Sequence, residues 1–125
     1  MHADTPEPVL SVEFAPVRPG FHLYSVDLPK TGVDGIGRPT RVEVGGALTA
    51  VGRSTADLAV VPLRLEGVAT SLPVYPDGPV TVRQAVRVGS PGNGDVFVSY
   101  AACSRTTCLE PISRQRVDVA LPAIP

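Results

Sequence analysis

The chain has 125 residues, a length at which one domain with one core is expected. Hydrophobic residues make up 43% and charged residues 18%, too apolar for intrinsic disorder; the formal net charge is -1, with ten arginines and one lysine spread along the sequence, so no basic stripe is offered to nucleic acid or lipid headgroups. No run approaches the roughly 18 consecutive apolar residues of a membrane span, and the opening "MHADTPEPVL" lacks a charged region followed by an apolar one, so a soluble chain without a visible export signal and without a nucleic-acid partner is expected.

Residues 1–8 read as a polar, proline-bearing tail, and residues 9–125 as one continuous domain. Fourteen prolines and twelve glycines punctuate segments that alternate with period two, the signature of half-buried strands. "VLSVEF" sets Leu10, Val12 and Phe14 against Ser11 and Glu13. "TRVEV" sets Val42 and Val44 against Arg41 and Glu43. "STADLAV" is compatible with a capped helical turn that Pro62 would stop. "PLRLE" offers Leu63 and Leu65, and "VTVRQAVRV" offers Val80, Val82, Val86 and Val88 on one parity. "DVFVSYAAC" alternates Val96, Val98, Tyr100 and Ala102 with Phe97, Ser99, Ala101 and Cys103, and "RVDVAL" offers Val117, Val119 and Leu121. Turn signals fall between them at Asp34-Gly35, Asp77-Gly78 and "SPGNG" from Ser90 to Gly94. The spacing predicts an all-β protein, an antiparallel sandwich or barrel.

The chemistry concentrates in "YAACSRTTCLEP", which holds both cysteines. Cys103 and Cys108 flank a tight connection from Ser104 to Thr107. Residues opposed across antiparallel strands have Cα atoms about 4.5 to 5.5 Å apart, within the span a disulfide bridges. Such a bond closes a ring of about six residues and contributes only about 2 kcal/mol in the loop-entropy picture. The residues therefore leave a hairpin staple and a redox pair both open. Zinc requires about four nitrogen or sulfur ligands, and His2 and His22 do not complete a set, so no metal or other cofactor is expected. A two-thiolate copper(I) site is a third, minor alternative. No "GxSxG" elbow accompanies His22, and "GVDGIG" reads as a turn rather than a nucleotide loop. Arg105, between the cysteines, could stabilise a thiolate, whereas Glu66 and Glu110 would oppose one; as an exposed turn residue Arg105 is expected to matter little.

"VFVSYAACSRTTCLEPISRQRVDVALP" resembles the segment around the active cysteines of the N-terminal periplasmic domain of the thiol:disulfide interchange protein DsbD family. There a strand ends in tyrosine, two residues and cysteine, followed by a second cysteine, a proline-bearing stretch and a final strand. "PGFHLYS", "GIGRPTRVEV" and "VYPDGPVTVRQAVRV" are similar to other segments of that domain, and together the likeness covers most of positions 9 to 122. The resemblance implies an immunoglobulin-like β-sandwich that relays reducing equivalents outside the cytoplasm, in the periplasm. A thioredoxin-like domain would reduce the pair, which would then reduce a disulfide isomerase or a cytochrome c maturation thioredoxin. By position, Cys108 would form the mixed disulfide and Cys103 would resolve it. His22, Tyr24 and Tyr100 fall where the family has aromatic residues, and Glu66 near an acidic position. Two departures stand out. Four residues separate the cysteines where the best-known member has five. The loop expected to cap them, "EGVATSLPVYP", has no Phe or Trp, so Val68, Ala69 and Leu72 at its tip, or Tyr75, would provide the shielding.

Overall fold

A computed structural model of the chain describes residues 8–16, 18–33, 35–67, 70–89 and 94–117. The described residues form strands and no helix: β1 Val9–Phe14, β2 His22–Leu23, β3 Arg41–Gly46, β4 Leu48–Ala56, β5 Val61–Arg64, β6 Ser71–Val74, β7 Val80–Val88, β8 Gly94–Tyr100, β9 Ala102–Cys103 and β10 Ile112–Val117. Every ladder is antiparallel, and the protein is all-β. Two three-stranded sheets, β1-β7-β4 and β10-β8-β3, supply one core cluster. It contains Phe14 of β1, Val42 of β3, Leu48 of β4, Val80, Val82 and Val86 of β7, and Val96 and Val98 of β8. Period-two placement of valine explains both elements and core, because the branched side chain suits the pleat and points to one face. Each fully buried valine contributes about 1.5–3 kcal/mol.

The chain crosses from one sheet to the other between β3 and β4 through Ala47 alone. Gly46 makes that corner at φ +62°, a conformation that costs a side-chain-bearing residue about 1–2 kcal/mol, and the Gly89 amide donates to the Ala47 carbonyl at 2.7 Å. The valine parity of β7 also carries Gln84, buried at 4% exposure. Its amide nitrogen donates to the carbonyls of Val51 (3.2 Å), Gly52 (3.2 Å) and Ala85 (2.9 Å), and its oxygen accepts from the Ser54 hydroxyl at 2.7 Å. The β4–β7 register slips between Val51 and Thr55, and Gln84 pairs the carbonyls that this bulge frees.

"STADLAV" forms no helical turn. Ser54, Thr55 and Ala56 continue β4, with Thr55 opposite Arg83 and Ala56 opposite Val82. Asp57 accepts from the Thr81 amide at 2.9 Å and so closes a strand end where a helix cap was expected. The turn at Asp77-Gly78 is present, with Gly78 at φ +100°. Asp34, Ser90–Asn93, and the Val119 and Leu121 expected in the last strand lie outside the described residues, as does the tail as far as residue 7.

At one end a smaller layer adds to this frame. Strand β9 pairs β2, with His22 opposite Cys103 and Leu23 opposite Ala102, and β5 pairs β6. The two pairs meet through the Tyr24–Val74 bridge and the bonds Ser25 N to Pro73 O (3.1 Å) and Tyr75 N to Leu23 O (2.9 Å). Beneath them lies a second cluster, in which Tyr24, Leu28, Leu63, Leu65, Leu72, Val74 and Ala101 pack with Cys103.

Candidate functional site

The cysteine pair is placed by a change of strand partner. Strand β8 runs between β10 and β3 as far as Tyr100. After Ala101 the chain re-forms as β9 against β2, and this turns Cys103 into the second cluster. Beyond Cys103 the chain reverses over Arg105 and Thr106. Ser104 N donates to Thr107 O at 2.7 Å and Leu109 N donates to Ala102 O at 2.9 Å, so Cys103 and Cys108 oppose each other as a non-hydrogen-bonded pair, the closer kind. Their Cα atoms are 4.0 Å apart and the sulfurs are joined in a disulfide. The separation lies below the range expected from sequence. The Ser104 hydroxyl accepts from the amides of Thr106 (3.3 Å) and Thr107 (3.1 Å), satisfying turn donors that lack a backbone partner.

The two sulfurs have different surroundings. Cys103 is 3% exposed, whereas Cys108 is exposed. The fully buried Tyr24 donates its hydroxyl to Cys103 Sγ at 2.9 Å. Three features fix that tyrosine. The Thr40 hydroxyl donates to its carbonyl at 2.7 Å, Val74 bridges its backbone, and Gly37 lies against its ring, where a Cβ would come within 2.7 Å of Cε1. Burial pushes the Tyr24 hydroxyl above its ordinary pKa, so it remains a donor through the neutral range. His22, across the β2–β9 pair from Cys103, donates Nδ1–H to the Tyr75 carbonyl at 2.8 Å, the acceptor fixing the tautomer. Its Nε2 is 3.5 Å from Asp77.

The remaining expected residues divide between the two clusters. Leu72, 1% exposed, lies within β6 and packs in the cluster of Cys103 instead of at a loop tip. The Glu66 amide donates to the Arg105 carbonyl at 2.9 Å, which brings the β5–β6 turn against the cysteine turn. A groove of about 830 Å³, lined by Pro62, Arg64, Glu66, Arg105 and Thr106 among others, runs beside that contact. Tyr75 belongs to the first cluster. Its hydroxyl accepts from the Val26 amide at 2.9 Å, and burial raises its pKa. Tyr100 also packs with the first cluster, its ring edge-on to Phe14 at 5.7 Å. Val68 and Ala69 lie outside the described residues. Sequence reasoning missed Gly37 and Thr40, which hold Tyr24; only the quoted "GIGRPT" hinted at a special backbone there. Among the described residues no three His, Cys, Asp or Glu side chains gather to hold a metal ion.

Comparisons of the chain with family models, with curated proteins and with solved structures match nothing.

Proposed function

We propose that the protein is a thiol-disulfide exchange module in which Cys108 meets the partner and Cys103 resolves. The observation that carries this reading is the asymmetry of the pair: one cysteine is exposed, and the other is buried under a tyrosine hydroxyl. Exchange requires in-line attack of a thiolate on one reachable sulfur, with the second sulfur leaving behind it. A partner thiolate attacks Cys108 Sγ, a mixed disulfide forms, and the Cys103 thiolate is expelled into the Tyr24 hydrogen bond. The partner's second thiolate then attacks its own sulfur in that mixed disulfide, expelling the Cys108 thiolate and leaving the partner oxidised and the pair reduced. In the outward direction the Cys108 thiolate attacks one sulfur of a client disulfide and expels the other as a thiolate. The Cys103 thiolate then attacks Cys108 Sγ and releases the client's first sulfur as a second thiolate, so two electrons pass and the bond returns.

The apolar cluster around Cys103 penalises the charge that arrives there, which slows adventitious reduction, and Tyr24 offsets part of that penalty. A staple is the weaker reading, because the turn already holds itself through Ser104 and the Leu109 amide. The resemblance of "VSYAACSRTTCLEP" to the DsbD family's periplasmic domain supports the same role. It adds an immunoglobulin-like sandwich, a thioredoxin-like donor, a disulfide isomerase or cytochrome c maturation thioredoxin as client, and an extracytoplasmic home, where disulfides persist. The test is trapping with a thioredoxin-like protein. Cys103→Ser is expected to accumulate a mixed disulfide through Cys108, and Cys108→Ser is expected to accumulate none. A bond that remains closed in buffers poised below about -300 mV would instead mark a non-catalytic binding module with a structural hairpin.

A further inference from the structure

Three of the ten arginines, Arg38, Arg41 and Arg114, meet beside the face of β10-β8-β3 that points away from the core. Strand β10 carries a bulge between Ile112 and Gln115, and within it Arg114 adopts φ +50°, left-handed and costly for a residue with a side chain. Its amide donates to the Ser99 hydroxyl at 2.9 Å. The bulge swings the guanidinium over Phe97, 4.7 Å from the ring centroid, to Glu43 at 2.9 Å on the far strand. Outliers of this kind gather at binding sites, where a bulge re-aims a side chain.

Arg114 thereby joins Lys30, Arg38 and Arg41 around a groove of about 380 Å³ in which Glu43 is the acidic lining residue. Arg38 donates to the carbonyls of Thr31 (3.1 Å), Gly35 (3.3 Å) and Gly37 (2.6 Å), which fixes the cation without neutralising it. Glu43 is already committed to Arg114. The lining thus carries four cations against one carboxylate, on a chain whose formal net charge is -1.

The groove adjoins the cysteines. Its wall at Pro111 is three residues past Cys108, at most about 11 Å away along the chain. A standard partner covers about 800 Å², a disc of about 16 Å radius. The loop bearing Lys30 and Arg38 also rests Val33 and Ile36 on the cluster of Tyr24 and Cys103. We infer that this cationic groove receives acidic side chains of the protein that exchanges with Cys108, steering it by charge. The inference rests on the proposed exchange role.

Two synthetic dithiol peptides of about ten residues test it, each with two cysteines separated by two residues so that the second thiolate resolves the mixed disulfide, with glutamates in one and glutamines at the same positions in the other. Their rates of opening the Cys103–Cys108 bond are measured as thiolate and divided by the rate for dithiothreitol on the same variant. The glutamate-to-glutamine ratio is expected to fall at least about fivefold in Lys30→Gln/Arg41→Gln, and similarly in about 0.5 M salt, where the Debye length contracts to a few ångströms. Lys30→Gln alone, on an exposed loop, gives part of the effect should the double variant fail to fold. A ratio that is the same in native protein, variants and high salt overturns the groove while leaving the exchange role intact. A bond that neither peptide nor dithiothreitol opens in the folded protein overturns both.

Discussion

Tyr24→Phe isolates one hydrogen bond and asks which sulfur leaves. The substitution keeps the ring that packs on Gly37 and removes only the hydroxyl that donates to Cys103 Sγ at 2.9 Å. Toward a neutral disulfide sulfur such a bond nets about 0.5–1.5 kcal/mol, and toward a charged acceptor about 1.5–3 kcal/mol. The difference, roughly 1–1.5 kcal/mol, is felt only as the Cys103 thiolate forms, and corresponds to about 5- to 13-fold in rate. Because Tyr24 is fully buried, water does not replace the lost donor. Reduction by dithiothreitol, followed by stopped flow at fixed pH, is expected to slow by that factor, while the oxidised protein loses only the neutral bond, about 0.5–1.5 kcal/mol of stability. If attack fell on Cys103, the exposed Cys108 would leave and Tyr24 would not matter. An unchanged rate in a folded variant would therefore refute the assignment of roles.

Three further outcomes follow from the same geometry. Gly37→Ala combines φ +84° with a Cβ 2.7 Å from the Tyr24 ring, so a loss of about 2–4 kcal/mol is expected in urea unfolding. Gly35→Ala, at φ +77° with nothing within 4 Å of its Cβ, should cost only the backbone part. Gln84→Leu leaves the Val51, Gly52 and Ala85 carbonyls without their side-chain donor; about 2–4 kcal/mol is expected, read as a lower denaturation midpoint with unchanged slope. The raised Tyr24 and Tyr75 pKa values mean that the folded chain holds those protons longer than the unfolded one. Stability is accordingly retained below about pH 10, the unfolded tyrosine value, and lost as pH rises through the folded values. Tyr75→Phe should flatten that alkaline fall.

Strand positions were legible because valine recurs at every second residue in β7 and β8 and because glycine and proline mark the turns. Burial of Cys103 was not. Alternation groups it with Phe97 and Ser99 on the outward face, and only the change of partner after Ala101 turns it inward. Gln84 shares its parity with four valines, yet nothing local announces the β4 bulge it serves. "STADLAV" misled because serine and aspartate beside an apolar run read as helix-capping residues, whereas Ser54 continues β4 and Asp57 closes the strand end on the Thr81 amide. Lys30, Arg38, Arg41 and Arg114 looked scattered because sheet pairing and one bulge bring them together. As neighbours of the cysteines, Tyr24 and His22 entered through resemblance alone; the β2–β9 ladder sets His22 opposite Cys103, and the Tyr24 hydroxyl reaches its sulfur.

The backbone bonds and Ser104 hydroxyl contacts that close the cysteine turn do not depend on the sulfur link, so opening it leaves both thiols face to face. Reclosure is then an intramolecular event at high effective molarity, and under the proposed exchange role a partner joined to Cys108 would be ejected almost as soon as it is captured. Exchange of that kind would be quick and leave few stalled adducts. A protein that exchanged with this pair would read its oxidation state from the sulfur atoms themselves, because none of the bonds that close the turn uses sulfur.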